Sequence, residues 1–174
     1  TEQDLKLFAQ NQVTPLPYTK VIRLGGDIIS NVSERSKRNI SQKVEQIADK
    51  PFILYVSTIE RRKNHETLYK AYHILAEKGF LKDMPNLVFA GMLGWGYSDL
   101  VNDINFDPLT KDKIILAGRV NDQELDYLYS KCLFTVFPSI YEGYGLGVAE
   151  SLIHKKFVLA SNAGSLPEVG GDFA

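Results

Sequence analysis

Residues 51–79 read PFILYVSTIERRKNHETLYKAYHILAEKG, and this stretch decides the fold. Phe52–Val56 is an unbroken apolar run, as expected of a strand buried on both faces rather than wet on one. After a polar stretch the period changes. Leu68, Ala71, Tyr72, Leu75 and Ala76 fall on one face of a helix expected over 64–78, and Gly79 stands where a C-terminal cap belongs.

The same alternation continues downstream. Strands are expected at 87–90, ended by Gly91, at 114–117, ended by Gly118, at 133–137, stopped by Pro138, and at 157–160. Asn121 followed by Glu124 has the spacing of a capping box and opens a helix that carries Leu125, Leu128 and Tyr129 inward. A glycine-rich turn leads into a further helix around 148–154. Short apolar strands alternating with helices predict right-handed βαβ units in a parallel sheet, with ligands outside the carboxyl ends of the strands. The fold class is α/β, a Rossmann-like parallel sheet with helices on both faces.

Residues 1–50 read differently from residues 51–174. A short apolar segment, VIRL at 21–24, ends in GGD at 25–27, and a polar, charged tract follows. Ile40, Val44 and Ile47 have the spacing of one loose amphipathic helix, so the region reads as a linker with a surface helix.

Composition removes several classes of function. The 174 residues carry a net charge of −1, so no bulk field draws in nucleic acid or an anionic membrane. The single cysteine, Cys132, excludes an internal disulfide and a cysteine-based metal cluster, which fits a reducing compartment. No apolar run approaches the roughly 20 residues needed to span a bilayer, and the first residues do not form a signal peptide. A soluble, cytoplasmic protein is expected.

Chemistry concentrates in residues 137–150, FPSIYEGYGLGVAE. Two carboxylates, Glu142 and Glu150, flank a strand-to-helix turn containing Gly143, Gly145 and Gly147. Backbone without side chains and the start of a helix make an anion site suited to a diphosphate. Glu150 repels phosphate and is better suited to accept bonds from a ribose diol, as carboxylates do in dinucleotide-binding folds. Glu142 lies on the turn itself, where a reacting sugar would sit. The plainer alternative is that these glycines only let the helix pack closely and the glutamates only face its dipole. A second cluster weighs against it: Arg61, Arg62 and Lys63 follow the first strand and converge on the same crevice. Cations are unfavourable at a helix start unless an anion offsets them, and lysine and arginine both bind phosphate.

Taken in order, YVSTIERRKN, NLVFAGMLGWGY, ILAGRVNDQELDYLYSKC, FPSIYEGYGLGVAESL and SNAGSLPEVGGDFA resemble the C-terminal, donor-binding domain of family 4 (group 1) retaining glycosyltransferases of the GT-B fold. Glu-x7-Glu at Glu142 and Glu150 is that family's signature. The resemblance implies that Glu150 binds the ribose hydroxyls and that the backbone of Gly143, Tyr144, Gly145 and Leu146 holds the diphosphate. It implies that Lys63 stabilises the leaving phosphate, that Glu142 contacts the donor sugar, and that Val120 and Leu125 flank the nucleobase. Glu168 matches a family position near the crevice, read as structural. Ser57-Thr58 stands where the family often has Gly-Arg, so Arg62 is the candidate replacement for the phosphate arginine.

Residues 1–50 then read as the tail and linker of a missing N-terminal acceptor domain. Residues 51–174 read as a nucleotide-sugar-binding domain truncated at its C-terminus and inactive alone. The implied activity is metal-independent hexosyl transfer with retention, in polysaccharide biosynthesis. The donor would be a nucleotide-sugar such as GDP-mannose or a UDP-sugar, with no cofactor. The acceptor is a glycan or lipid-linked saccharide, and any peripheral membrane contact would come through the missing domain. The alternatives are a non-catalytic nucleotide-sugar-binding module or a GT-B-fold epimerase. His73 and His154 are expected to pack or face solvent, and His65 to support a helix start.

Overall fold

The computed structural model describes residues 2–22 and 40–174. The GGD turn at 25–27, the end of the preceding apolar segment and the polar tract up to residue 39 lie outside the described residues. Helix α1 (Glu2–Asn11) comes first, then α2 (Gln42–Ala48). From there strands and helices alternate: β1 (Phe52–Val56), α3 (His65–Glu77), β2 (Asn86–Ala90), α4 (Ser98–Phe106), β3 (Ile114–Gly118), α5 (Asp122–Lys131), β4 (Thr135–Phe137), α6 (Leu146–Ile153), β5 (Val158–Ala160) and α7 (Leu166–Gly170).

All five strands are parallel, in the order β3-β2-β1-β4-β5. From β1 the chain proceeds to β2 on one side, whereas from β4 it proceeds to β5 on the other. The crevice between β1 and β4 is therefore the topological switch point of the sheet, where ligands bind in folds of this kind.

Alternate residues of β1 feed two apolar layers. Ile53 and Tyr55 join Tyr72 of α3 and Leu100 and Ile104 of α4, while Phe52 and Leu54 join Val44 and Ile47 of α2 and Leu128 and Tyr129 of α5. Every residue of β2 is buried. Full burial of such side chains contributes about 1.5–3 kcal/mol each, so the loops at the strand ends rest on a stiff platform. Two caps reinforce it. Asn121 and Glu124 form the reciprocal capping box, and Glu124 Oε1 also accepts from the backbone N–H (3.1 Å) and hydroxyl of Ser41 at the start of α2. Gly79, at φ +78°, continues past the end of α3.

The structure corrects some expected detail. Ala71 is exposed, and His65 joins Tyr72 as a buried residue of α3. Strands β4 and β5 begin at Thr135 and Val158, within the usual scatter of strand and helix ends. Helices α1, α4 and α7 were not anticipated. Among the described residues no helix is long and apolar enough to cross a membrane.

Candidate functional site

Two loops meet at the switch point. The loop after β1 closes in a short 3₁₀ turn, Arg61–Lys63, and Asn64 reverses it in the left-handed region at φ 59°. Its side-chain amide donates to the Pro138 carbonyl (3.1 Å), and Ile140 N–H donates to the Arg62 carbonyl (2.7 Å). These bonds tie the β1 loop to the β4 loop. The charged ends of Arg62 and Lys63 are thereby brought to the turn that carries Glu142.

Lys63 Nζ lies 2.5 Å from Glu142 Oε1, and Arg62 Nη1 lies 2.9 Å from Oε2. Ser139 Oγ donates to Oε1 as well (2.8 Å), and Arg62 also reaches Glu60 (2.7 Å). Glu142 is buried. Burial raises its carboxyl pKa, but hydrogen bonds from Lys63 and Ser139 and the charges of Lys63 and Arg62 outweigh it and hold the group below the ordinary glutamate value. Tyr55 supports this arrangement from beneath. Its hydroxyl donates to the Lys63 carbonyl (2.6 Å) and lies 3.2 Å from Ser139 Oγ, and burial raises its pKa to about 12.

On the other side of the crevice, Gly145 takes φ +101° and caps α6. That backbone conformation favours glycine, and a Cβ there would stand 2.7 Å from Leu166 Cδ2 and push that side chain aside. The first turn of α6 leaves N–H groups without partners inside the helix, as every helix start does. Glu150 follows one turn later on α6 and accepts a hydrogen bond from the Tyr129 hydroxyl (2.9 Å). Burial first, and then the charge of Glu150, raise the Tyr129 pKa, so the phenol stays protonated and holds the carboxylate. The His154 ring stacks on Tyr129 at 4.6 Å.

The cleft between these walls encloses about 380 Å³. Of the residues singled out from sequence, Arg62, Lys63, Glu142, Gly143, Tyr144, Gly145, Leu146 and Glu150 line it. Val120 and Leu125 do not. They are half-buried and pack against the apolar layer that holds Leu128 and Tyr129. Glu168 is exposed on α7. His65 opens α3, as expected, and is also fully buried, stacked on Tyr55 at 4.4 Å with Nε2 3.2 Å from Ser57 Oγ. Burial, then the charge of Lys63, lower its pKa to about 3, so it is a neutral part of the core.

Sequence reasoning missed Ser139, Tyr55 and Tyr129, and also Gly164 and Ser165. Gly164 sits at φ +58°, where a Cβ would meet the Glu142 carbonyl oxygen at 2.8 Å, and Ser165 Oγ donates to that same oxygen (3.0 Å). The turn that carries Glu142 is thus fastened from behind by the segment after β5. Only Ser139, three residues before Glu142, carried a local signal.

The sequence model of the family described as "Glycosyl transferases group 1" matches residues 36–174. O-antigen chain mannosyltransferase B of Escherichia coli is 36% identical over 127 residues, covering 73% of this chain and 32% of that protein. The serotype-specific mannosyltransferase WbdA of Escherichia coli is 27% identical over 176 residues, covering 95% of this chain and 22% of that protein. The chain therefore spans a third or less of the length of these relatives. Among solved structures, sucrose-phosphate synthase from Thermosynechococcus elongatus superimposes with a TM-score of 0.64 at 23% identity, over 94% of this chain and 40% of that one. That likeness shows the fold; the family match and the first relative show the lineage. A switch-point cleft with Glu-x7-Glu on one wall and Arg62-Lys63 on the other is thus found in a chain that belongs to the group 1 glycosyl transferases.

Proposed function

We propose that this chain is the donor-binding half of a hexosyltransferase that moves a sugar from a nucleotide-sugar to a glycan or lipid-linked acceptor. Configuration is retained and no divalent metal is used. One observation carries the reading: two cations from the β1 loop and the start of α6 face one cleft together with both glutamates. The ribose hydroxyls bind Glu150, the diphosphate lies along the backbone from Gly143 to Leu146, and the sugar meets Glu142. The acceptor is held by a second domain of a two-domain enzyme.

In the transfer step the bond from the anomeric carbon to the phosphate oxygen breaks and its electron pair goes to that oxygen. The acceptor oxygen bonds to the same carbon, and its proton passes to the departing phosphate oxygen. Charge grows on the leaving phosphate, so donors aimed at it act more strongly in the transition state than in the ground state. Lys63, Arg62 and the α6 N–H groups supply that positive potential, which is the role a divalent ion plays in other transferases. Two of the relatives are named mannosyltransferases, which makes GDP-mannose the first donor to test.

A thermal-shift series with GDP, UDP and ADP and their sugars tests the reading, because a ligand bound to the native state raises apparent stability. One nucleotide series is expected to raise the midpoint, equally with and without EDTA. A shift that EDTA abolishes overturns the metal-free step, and no shift with any nucleotide overturns the donor site.

A further inference from the structure

Glu142 already holds both cations that the donor diphosphate is proposed to take. Its side chain is 9% exposed and that of Lys63 is 17% exposed, so the pair is desolvated as well as close. The turn that carries the carboxylate is fixed, and one carboxylate oxygen is held. Ser139 holds one oxygen, Ser165 Oγ holds the Glu142 carbonyl, and the Gly164 backbone fills the space behind. Ser139 is itself held, its carbonyl accepting from Ser161 Oγ. A diphosphate entering this cleft therefore competes with a fixed internal anion for Lys63 and Arg62.

Resting on the donor-site reading above, we propose that Glu142 makes the site prefer a nucleotide that carries a sugar over the bare nucleoside diphosphate. A bare diphosphate that draws Lys63 and Arg62 away leaves Glu142 buried with Ser139 Oγ as its remaining side-chain donor. A buried carboxylate stripped of its cations is costly. A sugar brings hydroxyl donors to the same oxygens and replaces what the cations gave. Discrimination of this kind, against a ligand that lacks the group a buried partner needs, is much stronger than discrimination by apolar fit. Once the sugar has left, Glu142 takes the cations back and helps to expel the product.

Calorimetric titration decides the matter, with GDP and GDP-mannose in one series and UDP and UDP-N-acetylglucosamine in the other. The proteins are the wild type, Glu142→Gln, Glu142→Ala as a second variant with no side-chain amide to accommodate, and Lys63→Ala. Their thermal midpoints report folding. The nucleotide series that binds is expected to show about tenfold tighter binding of the bare diphosphate to Glu142→Gln, the step expected when a charged hydrogen-bond acceptor becomes neutral. The sugar-bearing ligand should bind no tighter, so its advantage over the bare one shrinks by at least that factor. Unchanged or weaker binding of the bare diphosphate by the folded Glu142 variants overturns the competition, and a loss in Lys63→Ala then leaves the donor site standing. No affinity for any of the four ligands in the wild type, nor for ADP and ADP-glucose, removes the donor site and this inference together.

Discussion

Glu142 and Asp107 are both buried carboxylates, 7% and 9% exposed, and they are built in opposite ways. Asp107 follows α4 and collects its donors nearby: Leu109 N–H (2.9 Å), Thr110 Oγ1 (2.8 Å), Tyr69 Oη (3.2 Å) and the His73 ring (2.8 Å). Burial raises its pKa, but His73, Leu109, Thr110 and Tyr69 outweigh that and lower it to about 2. It lines no part of the cleft. Glu142 relies instead on two flexible cations facing a cleft, with a single hydroxyl behind them. A carboxylate saturated by its own loop and by Tyr69 and His73 of α3 clamps that loop. One held by cations beside open space has partners that a ligand is able to exchange.

The largest expected effect breaks the clamp. Asp107→Ala should cost about 3 kcal/mol of stability, because several buried donors lose their acceptor at once, and should leave nucleotide affinity as it was. Urea denaturation and nucleotide titration measure the two. Loss of nucleotide binding in a folded Asp107→Ala protein would erase the contrast between the sites. Lys63→Ala should behave in the reverse way. It should weaken nucleoside diphosphate binding by about 1.5–3 kcal/mol, the range for a charge-assisted bond, while stability falls by only about 1 kcal/mol, since Arg62 and Ser139 still hold Glu142. A smaller effect is expected at Glu150→Gln. The Tyr129 hydroxyl still finds an acceptor there, and loss of charge toward the ribose should weaken binding about fivefold, or ~1 kcal/mol. Equal affinity for the two proteins would remove the ribose role.

The two sites also differ in how far they could be read from sequence. Glu142, Glu150 and the glycines lie within one stretch, and Lys63 follows a strand whose carboxyl end must face the same crevice, so local spacing and the parallel-sheet rule together reach them. What escaped is contact across elements. Tyr55 lies on β1 and reads as core, and nothing local shows that its hydroxyl meets Ser139. Tyr129 reads as an inward face residue of α5, and its bond to Glu150 depends on how α5 and α6 pack. Gly164 and Ser165 reach Glu142 only because β5 lies beside β4. The Asp107 cluster escaped for a related reason. Helix α4, SDLVNDINF, interleaves Asp99, Asn102, Asp103 and Asn105 with its apolar residues and buries only Leu100 and Ile104, so no clear inner face shows in its sequence. Ala71 had the right spacing for the inner face of α3 and is exposed, because His65 and Tyr72 set which side of the helix turns inward.

The smallest effect separates the sites by pH. The His73 pKa is raised, chiefly by its hydrogen bond to Asp107, against a desolvation that lowers it. A group whose folded pKa lies above its unfolded value contributes stability that is complete below the unfolded value, about 6.5 for histidine, and is lost as pH rises through the folded value. Glu142 has the opposite sign. Its folded pKa is depressed, so its contribution is complete above the ordinary glutamate value and is lost as pH falls through the folded one. Thermal midpoints between pH 6 and 9 should therefore decline gently in the wild type and lose that slope in His73→Gln. Glu142→Gln should keep the slope in this window and flatten the curve only on its acid side. An alkaline slope that survives His73→Gln would show that the Asp107 clamp holds equally well with a neutral imidazole, and that its three other donors alone fix the loop.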